Sequence, residues 1–296
     1  MSARNDFHLD RMQVRRAFGR AAAHYEQHDA LQREVGVRLR ERLLLLDASP
    51  ARVLDVGAGT GLGTAALRKA YPKVEVIALD LALPMLRAAR RHAGWRRPFA
   101  RVCAEAQTLP LPDRSIDLLH SNLCIQWIDD PAPLFAEFAR VLKPGALLLV
   151  SSFGPDTLTE LRAAWAAADG VHAHVSRFLD MHDLGDAALA AGLRDPVLDA
   201  EHLTVTYADV PALLHELKGL GATNADVARE RGLTGKARYR RMLDAYESRR
   251  RDGRIPSTWE VVYLHAFGAS EGQPQRTDGG EIATFSVERL RGSRRG

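Results

Sequence analysis

The spacing of hydrophobic positions changes near residue 50. Between residues 14 and 46, apolar side chains recur three or four residues apart with arginines between them, which predicts two helices with a break near His28. After residue 51, short β-branched and aliphatic runs alternate with amphipathic stretches, and these runs begin at residues 52, 74, 99, 116 and 146. Strands that alternate with helices predict an α/β fold, with a mostly parallel sheet covered by helices on both faces.

The pattern is less regular after residue 157. Helical periodicity returns at 157–168, 184–191 and 211–220, a strand is expected within 197–207, and the aromatic run 259–267 predicts the last strand. We therefore expect a helical cap over residues 1–50 and a domain over 51–269 that carries an insertion at about 170–250. The segment 270–296 is rich in glycine, serine and arginine without periodicity, so a disordered tail is expected there.

Composition narrows the class of protein. The chain has 296 residues, of which 46% are hydrophobic and 26% charged, as in ordinary globular enzymes. A net charge of +4 spread over both signs does not indicate a nucleic-acid partner. Cys103 and Cys124, its two cysteines, cannot form a disulfide framework or a four-ligand zinc site. With no signal peptide and no long apolar stretch, we expect a soluble cytoplasmic protein without a membrane partner.

A glycine-rich loop follows the first predicted strand. The strand ends in Gly57-Ala58-Gly59-Thr60-Gly61, and a helix follows. Glycines at alternate positions let a ligand approach the backbone closely. The dinucleotide fingerprint fails, because Leu62 or Thr64 stands where its third glycine is required. Asp55, two residues before the loop, would repel phosphates and attract an amine or a sulfonium.

This loop resembles motif I of the class I S-adenosylmethionine-dependent methyltransferases, and further segments match in order. Asp80 ends the second strand, Glu105 precedes Leu109-Pro110 where an Asp is commoner, and Asn122 follows the fourth strand. The resemblance implies a Rossmann-like fold with an antiparallel last strand and S-adenosyl-L-methionine as cofactor, with Asp80 accepting both ribose hydroxyls. The implied cofactor-binding residues are Asp55, Gly57, Ala58, Gly59, Gly61, Asp80, Leu81, Glu105, Ala106 and Asn122.

The segment F-G-R-A-A-A-H-Y-E, which starts at Phe18, resembles the N-terminal signature of the malonyl-acyl-carrier-protein O-methyltransferases of biotin synthesis. Segments that begin at Ser121, Ser152 and Leu217 agree with the same family, so the similarity covers about residues 14–267. It implies methyl transfer to the free carboxylate of a malonyl thioester on an acidic carrier protein. That carboxylate is ionised at neutral pH, so no general base is required.

The resemblance also suggests three catalytic residues, each with a plainer alternative. Tyr25 would close over the cofactor or the malonyl group, or it simply packs the N-terminal helix on the sheet. Arg177 would pair with the malonyl carboxylate, or it is a surface charge. Lys218 would meet the substrate or the carrier, or it is an exposed residue at a helix end. His172 and His174 lack a third ligand nearby, so no metal is expected.

An acidic carrier implies a basic docking face, and two segments could supply it. One candidate is Arg33, Arg38, Arg40 and Arg42; the other is Lys236, Arg238, Arg240, Arg241, Arg249, Arg250 and Arg251. Three other functions stay open: methylation of another small acid, hydroxylation of a protein arginine by a methyltransferase-like assembly factor, and cofactor binding without turnover. A nucleic-acid methyltransferase is disfavoured, because no Asn-Pro-Pro-Tyr-type segment follows the fourth strand.

Overall fold

The structure is a computed structural model that describes residues 8–46, 48–96, 98–170, 172–230, 232, 234–270, 275–277 and 280–282. Over these residues the chain forms one large sheet with helices on both faces, followed by a short hairpin. Of the helices in the described ranges, none is both long enough and apolar enough to cross a membrane.

Seven strands form the central sheet. They are β1 Arg52–Val56, β2 Glu75–Asp80, β3 Ala100–Cys103, β4 Ile116–Ser121, β5 Leu142–Phe153, β6 Arg194–Tyr207 and β7 Ile255–Phe267. Their order is β3-β2-β1-β4-β5-β7-β6, and β1 to β5 pair in parallel. The last strand, β7, runs antiparallel between β5 and β6. The predicted fold class is confirmed, including its antiparallel last strand.

Nine helices surround this sheet in the described residues. They are α1 Arg11–Ala21, α2 Ala30–Glu41, α3 Leu62–Ala70, α4 Leu83–Ala89, α5 Pro131–Val141, α6 Thr159–Ala168, α7 Met181–Ala190, α8 Val210–Gly219 and α9 Lys236–Glu247. The predicted break between the first two helices lies at the 3-10 turn Tyr25–Gln27, directly before His28. Local chemistry fixes several helix starts: the Asp130 carboxylate accepts the Ala132 N–H, and Pro131 opens α5.

Each strand presents alternate side chains to two separate cores. Val53 and Leu118 are fully buried on the face covered by α2 and α3, whereas Leu54 and Leu119 are fully buried on the opposite face against α5. Burying an aliphatic side chain contributes about 1.5–3 kcal/mol. The two packed faces hold the strand ends in place, and those ends carry the site.

The segment after residue 269 contains a short hairpin, β8 Gln275–Thr277 paired with β9 Gly280–Ile282. The rest of the predicted disordered tail lies outside the described residues.

Candidate active site

The strand order reverses between β1 and β4, and parallel sheets bind ligands at the carboxyl ends beside such a reversal. A cleft opens there, with about 870 Å³ of space that includes its opening to solvent. Its floor is the glycine loop and the ends of β2 and β3, and its roof comes from α1 and the turn after it. The residues that line it include Arg11, Val14, Phe18, Tyr25, Gly57, Gly59, Asp80, Leu81, Met85, Glu105, Ala106, Asn122, Cys124 and Trp127.

The three glycines of the loop differ in what a side chain at each position would contact. All have positive φ, at +73° for Gly57, +54° for Gly59 and +83° for Gly61. A Cβ on Gly57 would lie 2.4 Å from the side chain of Cys124, and one on Gly61 would lie 2.8 Å from Ala89. A Cβ on Gly59 would meet no protein atom within 4 Å. Gly57 and Gly61 thus permit close packing, while the open face of the loop at Gly59 belongs to the cleft.

Asp80 is held rigidly at the end of β2. Its Oδ2 accepts the Gly59 N–H at 2.9 Å and its Oδ1 accepts the Ala82 N–H at 2.7 Å. Each oxygen keeps a further lone pair for a ligand hydroxyl. Burial raises the pKa of Asp80 to about 6, and the negative charge of Asp55 acts in the same direction, although the two N–H donors oppose it.

Asp55 does not present a free carboxylate to the cleft. Its Oδ2 accepts the Thr64 hydroxyl at 2.5 Å, and its Oδ1 lies 2.8 Å from Nδ1 of His120. Asp55 is 3% exposed and His120 is fully buried. The remaining ring nitrogen of His120, Nε2, is buried without a partner among the described residues. The two side chains form a buried pair whose outer atom is the imidazole Nε2.

A polar chamber with about 950 Å³ of space, partly open to solvent, continues the cleft between α2 and the glycine loop. The cleft and this polar chamber share Tyr25, Gly57, Gly59 and Asn122. Other residues that line the polar chamber include Asp29, Gln32, Arg33, Arg40, Asp55, Ala58 and His120. Oε1 of Gln32 is buried there without a partner in the described ranges.

Arg40 differs from Arg33, the other arginine of the polar chamber, in its ion pairing. It is half-buried, and it forms no ion pair within the part of the chain that the structure describes. Burial lowers the pKa of Arg40, while the negative charge of Asp55 opposes this shift. Arg33, by contrast, ion-pairs with Asp29 at 3.0 Å. A half-buried guanidinium without a carboxylate partner is the side chain expected at an anion site.

Tyr25 and Asn122 stand between the two spaces. Asn122 is fixed, because its Nδ2 donates to the Gln32 carbonyl at 2.9 Å and its Oδ1 accepts the Ser151 hydroxyl at 2.9 Å. The pKa of Tyr25 is raised far above its usual range by burial and by the charges of Asp29 and Asp80. The phenol therefore keeps its proton and can act as a hydrogen-bond donor, not as a base.

Sequence comparisons identify the relatives of this chain. A methyltransferase domain family matches residues 54–150. The malonyl-acyl-carrier-protein O-methyltransferase of Laribacter hongkongensis is 46% identical over 289 residues, which cover 94% of this chain and 97% of that protein. Its counterpart from Halorhodospira halophila is 47% identical over 97% of each chain. The chain belongs to the malonyl-acyl-carrier-protein O-methyltransferase family.

Solved structures agree on the fold of this methyltransferase. The YcgJ protein of Bacillus subtilis superposes with a TM-score of 0.55 at 19% identity, covering 77% of this chain and 97% of its own. The SAM-dependent methyltransferase TM1293 of Thermotoga maritima gives a TM-score of 0.51 at 19% identity, over 86% and 99%. The predictions of the family, of the fold and of an S-adenosylmethionine-dependent methyltransferase are confirmed.

Most of the predicted cofactor-binding residues of this methyltransferase lie together around the glycine loop. Asp80, Leu81, Glu105 and Ala106 line the cleft, Asp55 and Ala58 line the polar chamber, and Gly57, Gly59 and Asn122 line both. Gly61 lines neither and begins α3 in the left-handed conformation. Glu105 is half-exposed and pairs with Arg11 at 3.2 Å, which ties α1 to the end of β3.

The predicted catalytic residues are not brought together. Tyr25 lies at the junction of the cleft and the polar chamber, but Arg177 and Lys218 line neither. The Arg177 side chain is 51% exposed and points to Asp226, whose Oδ2 is 3.5 Å from Nη2. Lys218 is exposed at the end of α8. Their catalytic roles stay predictions.

Sequence reasoning missed Arg40 and His120. Two signals could have found them. Buried Gly36 lies one helical turn before Arg40, and a Cβ there would sit 3.2 Å from the Arg40 guanidinium. His120 interrupts the aliphatic run of β4, where burial of an imidazole is unfavourable unless a polar group pairs with it.

Proposed function

We propose that this methyltransferase transfers the methyl group of S-adenosylmethionine to the free carboxylate of a malonyl group carried as a thioester on an acyl-carrier protein. The product is a methyl ester, formed early in biotin synthesis. The observation that supports this most is the pair of adjoining spaces on the two sides of the glycine loop, with a hydroxyl acceptor, Asp80, in the cleft and a cation, Arg40, in the polar chamber.

The nucleoside of the cofactor fits the cleft. Asp80 offers one free lone pair on each oxygen, as two neighbouring ribose hydroxyls require. Leu81, Met85 and Ala106 give apolar walls for a base beyond it. When bound, S-adenosylmethionine supplies a methyl group already activated by its sulfonium.

The amino-acid end of the cofactor fits the polar chamber. Arg40 would pair with its carboxylate, and Oε1 of Gln32 would accept from its ammonium group. Arg40 has a half-buried positive charge, and Gln32 has a buried oxygen without a donor in the described ranges. A zwitterionic ligand would supply a carboxylate for the first and an ammonium group for the second. Asp55 and His120 line the same chamber, and the negative charge of Asp55 would favour an ammonium group there.

The acceptor needs positioning rather than a base. A malonyl carboxylate has a pKa near 4 and is ionised at neutral pH. Tyr25 stays protonated, so it can donate a hydrogen bond at the junction but cannot remove a proton. Alignment of oxygen and methyl at about 3–3.5 Å supplies several kcal/mol of the barrier reduction.

Arg177 remains our candidate partner for the malonyl carboxylate, although its guanidinium faces Asp226. Binding would require Arg177 to exchange that carboxylate for the substrate. Arg177→Ala is expected to raise KM for the malonyl substrate without changing the affinity for S-adenosylmethionine. A matching loss of both would remove Arg177 from the acceptor site.

We place the carrier on the later basic segment. In the earlier set, Arg38 pairs with Glu34 and Glu201, and Arg42 pairs with Asp199, so much of its charge is neutralised internally. The later set keeps more of its charge: Lys236, Arg240, Arg249 and Arg251 are exposed and have no ion pair within the described ranges. Lys218 would be an accessory contact for the same carrier.

We assign the reaction to the cytoplasm. Cys103 is exposed and Cys124 is half-buried, and both are free thiols, as a reducing compartment allows.

Methyl transfer tests the function directly. Purified protein is mixed with methyl-labelled S-adenosylmethionine and with carrier protein loaded with either a malonyl or an acetyl group. Label is expected on the malonyl carrier, in a base-labile ester, and not on the acetyl carrier. Label on another small acid, or cofactor binding without transfer to any acid offered, would overturn the proposal.

A further inference from the structure

A third space adjoins the cleft behind Trp127. This acceptor chamber, as we name it, has about 450 Å³ of empty space, part of it open to solvent. Trp127 lines both the cleft and the acceptor chamber, which also has Phe153, Phe178, Leu217 and Trp259 in its walls. It therefore lies at the end of β5, beyond the cofactor half of the sheet.

Aromatic packing fixes the walls of the acceptor chamber. The ring centroids of Phe153 and Trp259 are 5.0 Å apart, and those of Phe153 and Phe178 are 5.9 Å apart in an edge-to-face arrangement. Trp259 projects from β7 and is 3% exposed. Its indole is therefore held in one orientation by its neighbours.

The indole N–H of Trp259 is unsatisfied. Nε1 is buried, and no acceptor for it lies within the part of the chain that is described. An indole nitrogen is a donor only, and a buried donor without an acceptor costs about 1–3 kcal/mol. Buried polar groups in native proteins nearly always have a partner, so an oxygen from outside the chain, of a ligand or of a water, is the expected acceptor.

We propose that the acceptor chamber binds the thioester end of the malonyl group, with the Trp259 N–H donating to the thioester carbonyl oxygen. This inference rests on the proposed function. A neutral donor among aromatic rings suits a neutral carbonyl and its polarisable sulfur, whereas a carboxylate would need a cation. The carboxylate at the other end of the short malonyl group then extends past Trp127 towards the cleft. Trp259 is thus a binding residue for the acceptor.

The position of the chamber also agrees with the carrier site. Leu161 of α6 forms one wall, and α9 packs against α6. The acceptor chamber and α9 thus both contact α6.

Two carrier-bound ligands that differ only in the thioester carbonyl test this hydrogen bond. Carrier protein is loaded either with the malonyl thioester or with a 2-carboxyethyl thioether, which keeps the carboxylate and the sulfur but has a methylene in place of the carbonyl. Equilibrium binding of each carrier is measured in the presence of S-adenosylhomocysteine, so that no turnover is needed. Trp259→Phe removes the N–H and keeps an aromatic ring, and Trp95→Phe, at a position 86% exposed, is the matched control.

For the wild type and Trp95→Phe, we expect the thioester to bind about three- to tenfold more tightly than the thioether. In Trp259→Phe that ratio is expected to fall to one, with unchanged affinity for S-adenosylhomocysteine. A ratio that survives in Trp259→Phe, equal loss for both acceptors, or no binding of either by the wild type would overturn the inference. Malonyl binding with this signature but without methyl transfer would instead contradict only the proposed function.

Discussion

The two halves of the sheet build their parts of the site in different ways. In the β1–β3 half, the groups that we propose to contact the cofactor lie at a strand end, as Asp80 does, or on the loop directly after a strand, as Gly59 does. In the β5–β7 half, the acceptor chamber joins Phe153, Leu217 and Trp259, which are far apart in the chain. Residues of the β1–β3 half, proposed to bind the methyl donor, are thus positioned by neighbouring sequence. Residues of the β5–β7 half, proposed to bind the methyl acceptor, are brought together by the topology of the sheet. Changes in one half should therefore leave the ligand of the other half unaffected.

Asp80→Asn should give the largest effect, and it should weaken the binding of S-adenosylmethionine without weakening the binding of the malonyl substrate. The amide cannot accept from Gly59, Ala82 and two ribose hydroxyls with the strength of a carboxylate, so we expect the affinity for S-adenosylmethionine to fall about 100-fold. Isothermal titration calorimetry measures it. Glu105→Gln, at a half-exposed position of the same cleft, should change the affinity much less. Equal losses in the two variants would place the ribose elsewhere.

Arg40→Gln should weaken the cofactor by about 10- to 50-fold, because a charge-assisted pair with the methionine carboxylate is lost. Decarboxylated S-adenosylmethionine should bind the wild type and the variant equally well. Arg38→Gln on the same helix is the control, since Arg38 pairs with Glu34 and Glu201 instead. If the variant discriminated between the two cofactors as strongly as the wild type does, Arg40 would not be the carboxylate partner.

Lowering the pH should weaken the binding of S-adenosylmethionine before it protonates the malonyl carboxylate. Burial raises the pKa of Asp80 to about 6, so the carboxylate that we propose as acceptor of the ribose hydroxyls becomes protonated as the pH falls through 6. We expect Kd for S-adenosylmethionine to be constant above pH 7 and to rise about tenfold per pH unit below 6. The malonyl carboxylate is still ionised there. A pH dependence that persists in Asp80→Asn would assign the titration to another group.

Charge reversal in the later basic segment should give the smallest effect and weaken only the use of the carrier protein. Arg240→Glu with Arg249→Glu is expected to lower kcat/KM for malonyl carrier protein about fivefold at low salt, and the difference should vanish at high salt. Malonyl-coenzyme A should be used equally by both proteins. Arg90→Glu, at an exposed position directly after α4 near the other edge of the sheet, is the control. Equal losses on carrier and coenzyme A substrates would contradict docking at α9.

The same contrast explains what could be predicted from sequence. The positions of β1 to β5 along the chain, the glycine loop and Asp80 follow from local patterns, because the loop and Asp80 each stand at the end of the strand that positions them. The sequence offers Arg40 only as part of one of two candidate docking faces, since helical periodicity alone does not reveal that Gly36 leaves room for its guanidinium to turn inwards. The sequence marks Trp259 as part of the last strand but does not indicate a contact with a ligand, because only the pairing of β7 with β5 brings it next to Phe153.

The central claim is that the cofactor lies across the glycine loop, with its nucleoside in the cleft and its amino-acid end in the polar chamber. A crystal structure of the complex with S-adenosylhomocysteine tests it most directly. The account predicts ribose hydroxyls on both oxygens of Asp80 and the ligand carboxylate on Arg40. A nucleoside bound away from Asp80, or a carboxylate that leaves Arg40 unpaired, would contradict it.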